Sequence, residues 1–238
     1  MQPDTVEASR PILFIAGASR GLGLEIATEF LKRGWTVIGT VRGAARTKLH
    51  DLADEYRGWV QIEKLDIDDI ESIAALGERL SARRLDMLFI NAGTTTREQD
   101  IPVGVVTTSE FNRVMLTNAL GPMRVIEALQ GYVPTDEMIG AMSSGQGSIA
   151  NNDRGLREVY RASKAALNMS MRCFAARERE RGRALLVLAP GWIRTDLGGS
   201  DAPYTLEESV PLLADIMLAK KQRPGLEYLD RFGETVPW

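Results

Sequence analysis

An α/β fold, with a parallel sheet covered by helices on both faces, is predicted by three features of this 238-residue chain. Short apolar runs recur at residues 11–16, 85–90 (interrupted only by Asp86) and 184–189, and a strand without polar alternation is one buried on both faces. Between them lie longer stretches whose apolar residues fall three and four apart, the spacing of an amphipathic helix. Each apolar run stops at a turn: AGASRGLG, Asn91-Ala92-Gly93 and Pro190-Gly191. Strand, turn and helix repeated in this way make crossover units and hence a parallel sheet.

In chain order, the first strand covers residues 11–16 and feeds the glycine-rich turn, after which Leu22, Ile26, Ala27, Phe30 and Leu31 mark one face of a helix. A second strand spans 35–41, a polar helix 47–56 and a third strand 59–65, ending at Asp66. Asp68 or Asp69 caps a helix running to Leu80, and LDMLFI supplies the fourth strand. A long helix follows over 109–129, with Asn118 as a polar residue on its apolar stripe and Pro122 four residues later. Residues 137–144 form a weak fifth strand, less apolar than the others, and 145–157 a polar loop. The helix beginning at Tyr160 runs to Arg181 and stops at Gly182; ALLVLA over 184–189 is the sixth strand. A loop containing Gly and Pro, a helix over 205–219 and a last short strand at 226–229 complete the pattern.

Composition narrows function by exclusion. Hydrophobic residues make up 44% and charged residues 26%, ordinary for a globular chain, and a net charge of -3 offers no basic surface for nucleic acid. One cysteine, Cys173, and one histidine, His50, leave no internal disulfide and no Cys/His cluster, so no metal is expected. His50 lies among Arg46, Lys48 and Asp51, where it reads as a surface side chain and not as a triad base. The first ten residues are polar and acidic, unlike a signal peptide, and no apolar run is long enough to span a bilayer. A cytoplasmic setting without a membrane partner is expected, with a polar extension over 1–10 and a single catalytic domain over 11–238.

Two stretches carry chemistry. In AGASRGLG, Gly17, Gly21 and Gly23 let a strand turn sharply into a helix whose free N–H groups can face a pyrophosphate. In YRASK, Tyr160 and Lys164 lie one helical turn apart, close enough for an ammonium to lower the pKa of a phenol. Taken alone, such a pair is more often a packed ring and a solvated amine. Here, however, it belongs to an ordered set: GxxxGxG, Asn91-Ala92-Gly93, Asn118, Ser143-Ser144-x-x-Gly147, Tyr160-x-x-x-Lys164 and Pro190-Gly191. With these motifs the chain resembles the short-chain dehydrogenase/reductase family over essentially its whole length. FGETVPW at the C-terminus and YRASKAALN most resemble the sniffer or C-factor subgroup of small carbonyl reductases.

The resemblance implies one doubly wound Rossmann-type domain of about seven strands, a nicotinamide cofactor, and hydride transfer to or from a small-molecule carbonyl or alcohol. It implies Tyr160 as general acid/base, Lys164 as the group that tunes it, and Ser144, ahead of Ser143, as the donor to the substrate oxygen. Asn118 completes the catalytic set. Gly17, Ser19, Arg20, Gly21, Leu22 and Gly23 would line the cofactor trough at the turn, and Asp66 and Ile67 would lie near the adenine. Asn91, Ala92 and Gly93 would continue it toward Tyr160, Lys164, Pro190, Gly191, Ile193 and Thr195. The second strand ends at Val41 with Arg42 next and no carboxylate; Arg42 and Arg20 suit a 2′-phosphate and favour NADP (NADPH) over NAD. Ala16 stands where the family commonly has Thr, so one hydrogen bond tying the turn to the sheet is expected to be missing. Thr94 to Thr96, the 146–154 loop and the 192–204 loop are expected to line the substrate side, the last as a lid.

Pro122 has no N–H, which leaves the Asn118 carbonyl without its helical donor; a buried water or Lys164 is expected to supply one. The Tyr160 helix carries Leu167, Met171 and Phe174 on one side and Ala162, Ala166, Met169, Cys173 and Ala176 on another. One face can cover the sheet and the other a second copy, in a homodimer or homotetramer. An NADPH-dependent carbonyl reductase is the leading reading. A non-enzymatic NADP-binding signalling or scaffold protein of the C-factor type competes with it, while a sugar-nucleotide epimerase would need a further substrate domain.

Overall fold

A computed structural model of the chain describes residues 10–238; most of the expected N-terminal extension lies outside the described residues. Its strands are β1 (Ile12–Ala16), β2 (Thr36–Val41), β3 (Val60–Lys64), β4 (Met87–Ile90), β5 (Met138–Met142), β6 (Ala184–Ala189) and β7 (Gly225–Asp230). They form one sheet in the order β3-β2-β1-β4-β5-β6-β7, and every neighbouring pair is parallel. The winding direction reverses between β1 and β4, which opens a crevice beyond the carboxyl ends of those strands.

The helices are α1 (Gly21–Lys32), α2 (Lys48–Glu55), α3 (Ile70–Leu80), α4 (Thr108–Met115), α5 (Gly121–Leu129), α6 (Glu158–Arg177) and α7 (Leu206–Lys221). Successive strand residues point to opposite faces and so meet different helices. Leu13 and Ile15 of β1 pack in one layer with Phe30 of α1 and Leu213 of α7. Phe14 and Ala16 pack in the other, with Leu76 of α3, Val125 of α5 and Leu167 of α6. Each such large side chain, fully buried, contributes roughly 1.5–3 kcal/mol. The fifth strand, weak in sequence, is buried at all five positions. Its low apolarity has a packing cause: a Cβ on Gly140 would come within 2.8 Å of the Phe89 ring.

Local caps explain several boundaries. Asp69, not Asp68, caps α3, its Oδ1 accepting from the Glu71 N–H at 3.0 Å. His50 is partly buried and structural, its Nδ1 accepting from the Thr47 N–H at the start of α2. Two expected helices change form. The one over 109–129 is broken by a π turn at Leu116–Leu120, closed by Gly121 N–H donating to the Leu116 carbonyl. Pro122 then falls in the first turn of α5, where a missing N–H costs nothing. The Tyr160 helix begins at Glu158 and ends at Arg177, and a 3-10 turn carries the chain to Gly182 at φ +63°. Among the described residues no helix is long and apolar enough to cross a membrane.

Candidate active site

The crevice is a cleft of about 930 Å³ running from the glycine turn to the N-terminus of α6. Every candidate site residue except Gly23 and Asn118 lines it. Gly17 takes φ +83° and Gly21 φ +55°, a region open chiefly to glycine. Gly23 lies under the turn: a Cβ there would sit 2.1 Å from the Gly17 carbonyl oxygen and 2.5 Å from Asn91 Nδ2. The tie expected to be lost at Ala16 is supplied from the next strand, where Thr40 Oγ1 accepts from the Gly17 N–H at 2.9 Å. Asn91 Nδ2 donates to the Gly17 carbonyl at 2.9 Å.

This turn fits the phosphates of a dinucleotide. No side chain caps α1 and no acid occupies its first turn, so its N–H groups and positive dipole end are open to the cleft. At the end of β2 the exposed Arg42 lines the cleft, and Asp66 lies across from it on the loop after β3. Arg20 pairs with Asp196 at 2.9 Å, tying the turn to the 192–204 loop across the cleft mouth.

At the other end, Tyr160 and Lys164 are both buried on the first turns of α6. Burial pushes the Tyr160 phenol above its ordinary range, while the Ser144 hydroxyl and the Arg157 guanidinium pull it down. Burial also lowers the Lys164 ammonium, to about 8. Of the two donors expected for the Asn118 carbonyl, a buried water or Lys164, the second is corrected: Lys164 Nζ donates to the Met142 carbonyl at 2.9 Å. Met142 is the last residue of β5, so the buried amine takes a carbonyl at the strand's carboxyl end. Asn118 is fully buried and acts through its side chain. Its Oδ1 accepts from Thr94 N–H at 2.8 Å, and its Nδ2 donates to the Thr94 carbonyl and to Ser163 Oγ.

The two serines divide as the alternation of a strand requires. Ser143 continues β5, its N–H donating to the Leu188 carbonyl, and its hydroxyl is buried against Asn168 Oδ1 at 2.6 Å. Ser144 is half-buried, lines the cleft, and its carbonyl accepts from the Tyr228 hydroxyl. On the substrate side, Thr94, Thr95, Gln146, Trp192 and Leu197 line the cleft as expected. Sequence reasoning missed Arg157, which also lines it with its guanidinium 4.9 Å from the Tyr160 ring centroid. The sequence carried no signal for it, because the helix start read at Tyr160 left Arg157 inside the polar loop, whereas α6 begins at Glu158.

The chain belongs to the short-chain dehydrogenase/reductase family: residues 17–211 match a family described as enoyl-(acyl carrier protein) reductase. A putative short-chain dehydrogenase/reductase of Burkholderia multivorans with bound NADP is 56% identical, with a TM-score of 0.95 over 97% of this chain and 100% of that one. A carbonyl reductase of Pseudomonas aeruginosa PAO1 in complex with NADP is 33% identical, with a TM-score of 0.89 over 97% and 100% of the two chains. The C-signal protein of Myxococcus xanthus is 33% identical over 159 residues, 65% of this chain and 93% of that protein.

Proposed function

We propose that this protein is an NADPH-dependent reductase of a small or medium aldehyde or ketone, able to run in reverse as an alcohol dehydrogenase. The observation that carries the reading is the presence of Tyr160, Ser144 and Lys164 in the same cleft as the uncapped N-terminus of α1. NADP-bound relatives and the free Arg42 at the end of β2 support the choice of nicotinamide cofactor. When bound, NADPH supplies the hydride to the carbonyl carbon. The burial of Tyr160 keeps its phenol protonated, as a donor to the developing alkoxide must be. The Ser144 hydroxyl donates a hydrogen bond to the same oxygen, which strengthens as charge develops there. Lys164, buried and anchored to Met142, holds a positive charge behind the phenol as its proton leaves.

A panel of aldehydes and ketones, with NADPH consumption as the readout, tests this reading. Tyr160→Phe should lower kcat roughly 10²- to 10⁴-fold while leaving NADPH binding intact in a fluorescence titration. Retained turnover in that variant would remove Tyr160 from the chemistry. The similarity to C-signal keeps one rival, a cofactor-binding signalling protein; tight NADPH binding with no carbonyl reduced across the panel would favour it. The outward side of α6 exposes Met169, Ala162, Cys173 and Ala176, and we assign it to a second copy in a homodimer or homotetramer in a cytoplasmic setting. Light scattering at micromolar concentration should give about two or four times the 26.2 kDa of one chain, and a monomeric mass would count against the assignment.

A further inference from the structure

We infer that Arg157 is a specificity-determining residue and that the preferred substrate is an oxo compound carrying a carboxylate. This rests on the reductase reading above and narrows it to a substrate class.

Three residues in succession, Gly155, Leu156 and Arg157, take left-handed backbone, with φ of +61°, +57° and +50°. For the two residues with side chains this conformation is strained, and strain of this kind persists where it places a group for use. The group placed here is the Arg157 guanidinium, brought over the face of the Tyr160 ring. Arg157 is also the N-cap residue of α6 and makes no capping hydrogen bond. A cation at the positive end of a twenty-residue helix is electrostatically the wrong residue for stability.

The local electrostatics leave this cation for a ligand. Arg97 and Arg113 share Glu110, and Arg20 has Asp196. Arg157 has no carboxylate partner among the described residues; its single hydrogen bond runs to the neutral Thr95 hydroxyl at 3.3 Å. Its Nε is buried with no acceptor at all, a state that proteins rarely leave unrelieved. Gln146 Oε1, in the same cleft, likewise has no partner, and rotation of that amide would present N–H donors instead. A planar, always-charged fork with an unused N–H beside the proton donor matches a carboxylate bound in two-pronged fashion. Because the guanidinium lies against the Tyr160 ring itself, that carboxylate and the reacting carbonyl must belong to one small molecule.

The test uses 4-formylbenzoate and its methyl ester, which differ in charge while keeping the same reacting aldehyde. Calorimetry on the NADP⁺-loaded protein should show the acid binding roughly 10- to 100-fold more tightly than the ester. Arg157→Gln should erase the ratio, and Arg157→Lys, which keeps the charge without the fork, should retain part of it. Steady-state reduction with NADPH should show the same ratio in KM with a smaller change in kcat. Equal binding of acid and ester, binding of neither at millimolar concentration, or a preference that survives Arg157→Gln would overturn the assignment. A variant whose pH–rate profile shifts equally for both compounds would instead mark Arg157 as a neighbour of Tyr160 only. If the acid binds selectively but no NADPH is consumed, the reductase reading fails and the carboxylate site stands.

Discussion

The two ends of the cleft are built from different material. At the glycine turn the surface offered to a ligand is backbone, pinned by Thr40 and Asn91 and pressed against Gly23. At the Tyr160 end it is side chains carried on α6 and on loops that contain little regular structure. A backbone site recognises a group common to many ligands and has almost no room to vary. A side-chain site can change what it accepts by one residue, as the stranded charge of Arg157 illustrates, without disturbing the sheet beneath it.

Substitutions at the two ends should therefore fail differently. Gly23→Ala should have the largest effect: the new Cβ meets backbone at 2.1 Å, so NADPH affinity should fall more than about 100-fold and the thermal midpoint should drop with it. A variant with normal cofactor affinity would show that the turn can yield. Arg42→Asp should leave the fold unchanged but reverse the preference for NADPH over NADH, by roughly 10- to 100-fold if one charge-assisted contact is exchanged for repulsion. Parallel titrations with the two nucleotides measure this.

Proton linkage distinguishes the Tyr160 end. Lys164 titrates at about 8 in the folded protein against an ordinary 10.5, so between those values the unfolded chain binds more protons. Stability must then rise with pH across that window as the penalty for a buried charge disappears. Relative to Lys164→Met, the wild-type unfolding free energy should grow by about 2 kcal/mol between roughly pH 8 and pH 10. Urea denaturation at the two pH values decides it, and a flat difference would mean the amine keeps its ordinary pKa. Tyr228→Phe should produce the smallest effect. It removes the donor to the Ser144 carbonyl, which should lower kcat a few-fold for a loss of about 1 kcal/mol while leaving the NADPH titration untouched.

Legibility in the sequence follows the same division. The glycine turn could be read because Gly17 and Gly21 take φ values that favour glycine and Gly23 leaves no room for a Cβ, all three in a strand–helix context. Asn91, Tyr160 and Lys164 were legible through their motifs. Other features were not. The choice between Ser143 and Ser144 depends on which residue continues the pairing of β5 with β6, and only the bond from Ser143 N–H to Leu188 settles which hydroxyl turns inward. The π turn at Asn118 could not be read from Pro122, since a missing N–H can be absorbed by a kink, a water or an added residue. Arg157 was hidden in a polar loop whose composition says nothing of left-handed backbone.

By itself the amino-acid sequence determined the alternation of strands and helices, the glycine turn and the one-turn spacing of Tyr160 and Lys164. These depend on periods of two and 3.6 residues and on single-residue φ preferences, all of which are local. The tertiary structure alone decided that Thr40 replaces the missing tie at Ala16, that Met142 takes the Lys164 ammonium, and that Arg157 lies on Tyr160. The first two are hydrogen bonds between residues 23 and 22 apart in the chain. Such a bond forms or fails over a few tenths of an ångström, and that precision comes from the packing of the whole sheet, which no local pattern encodes.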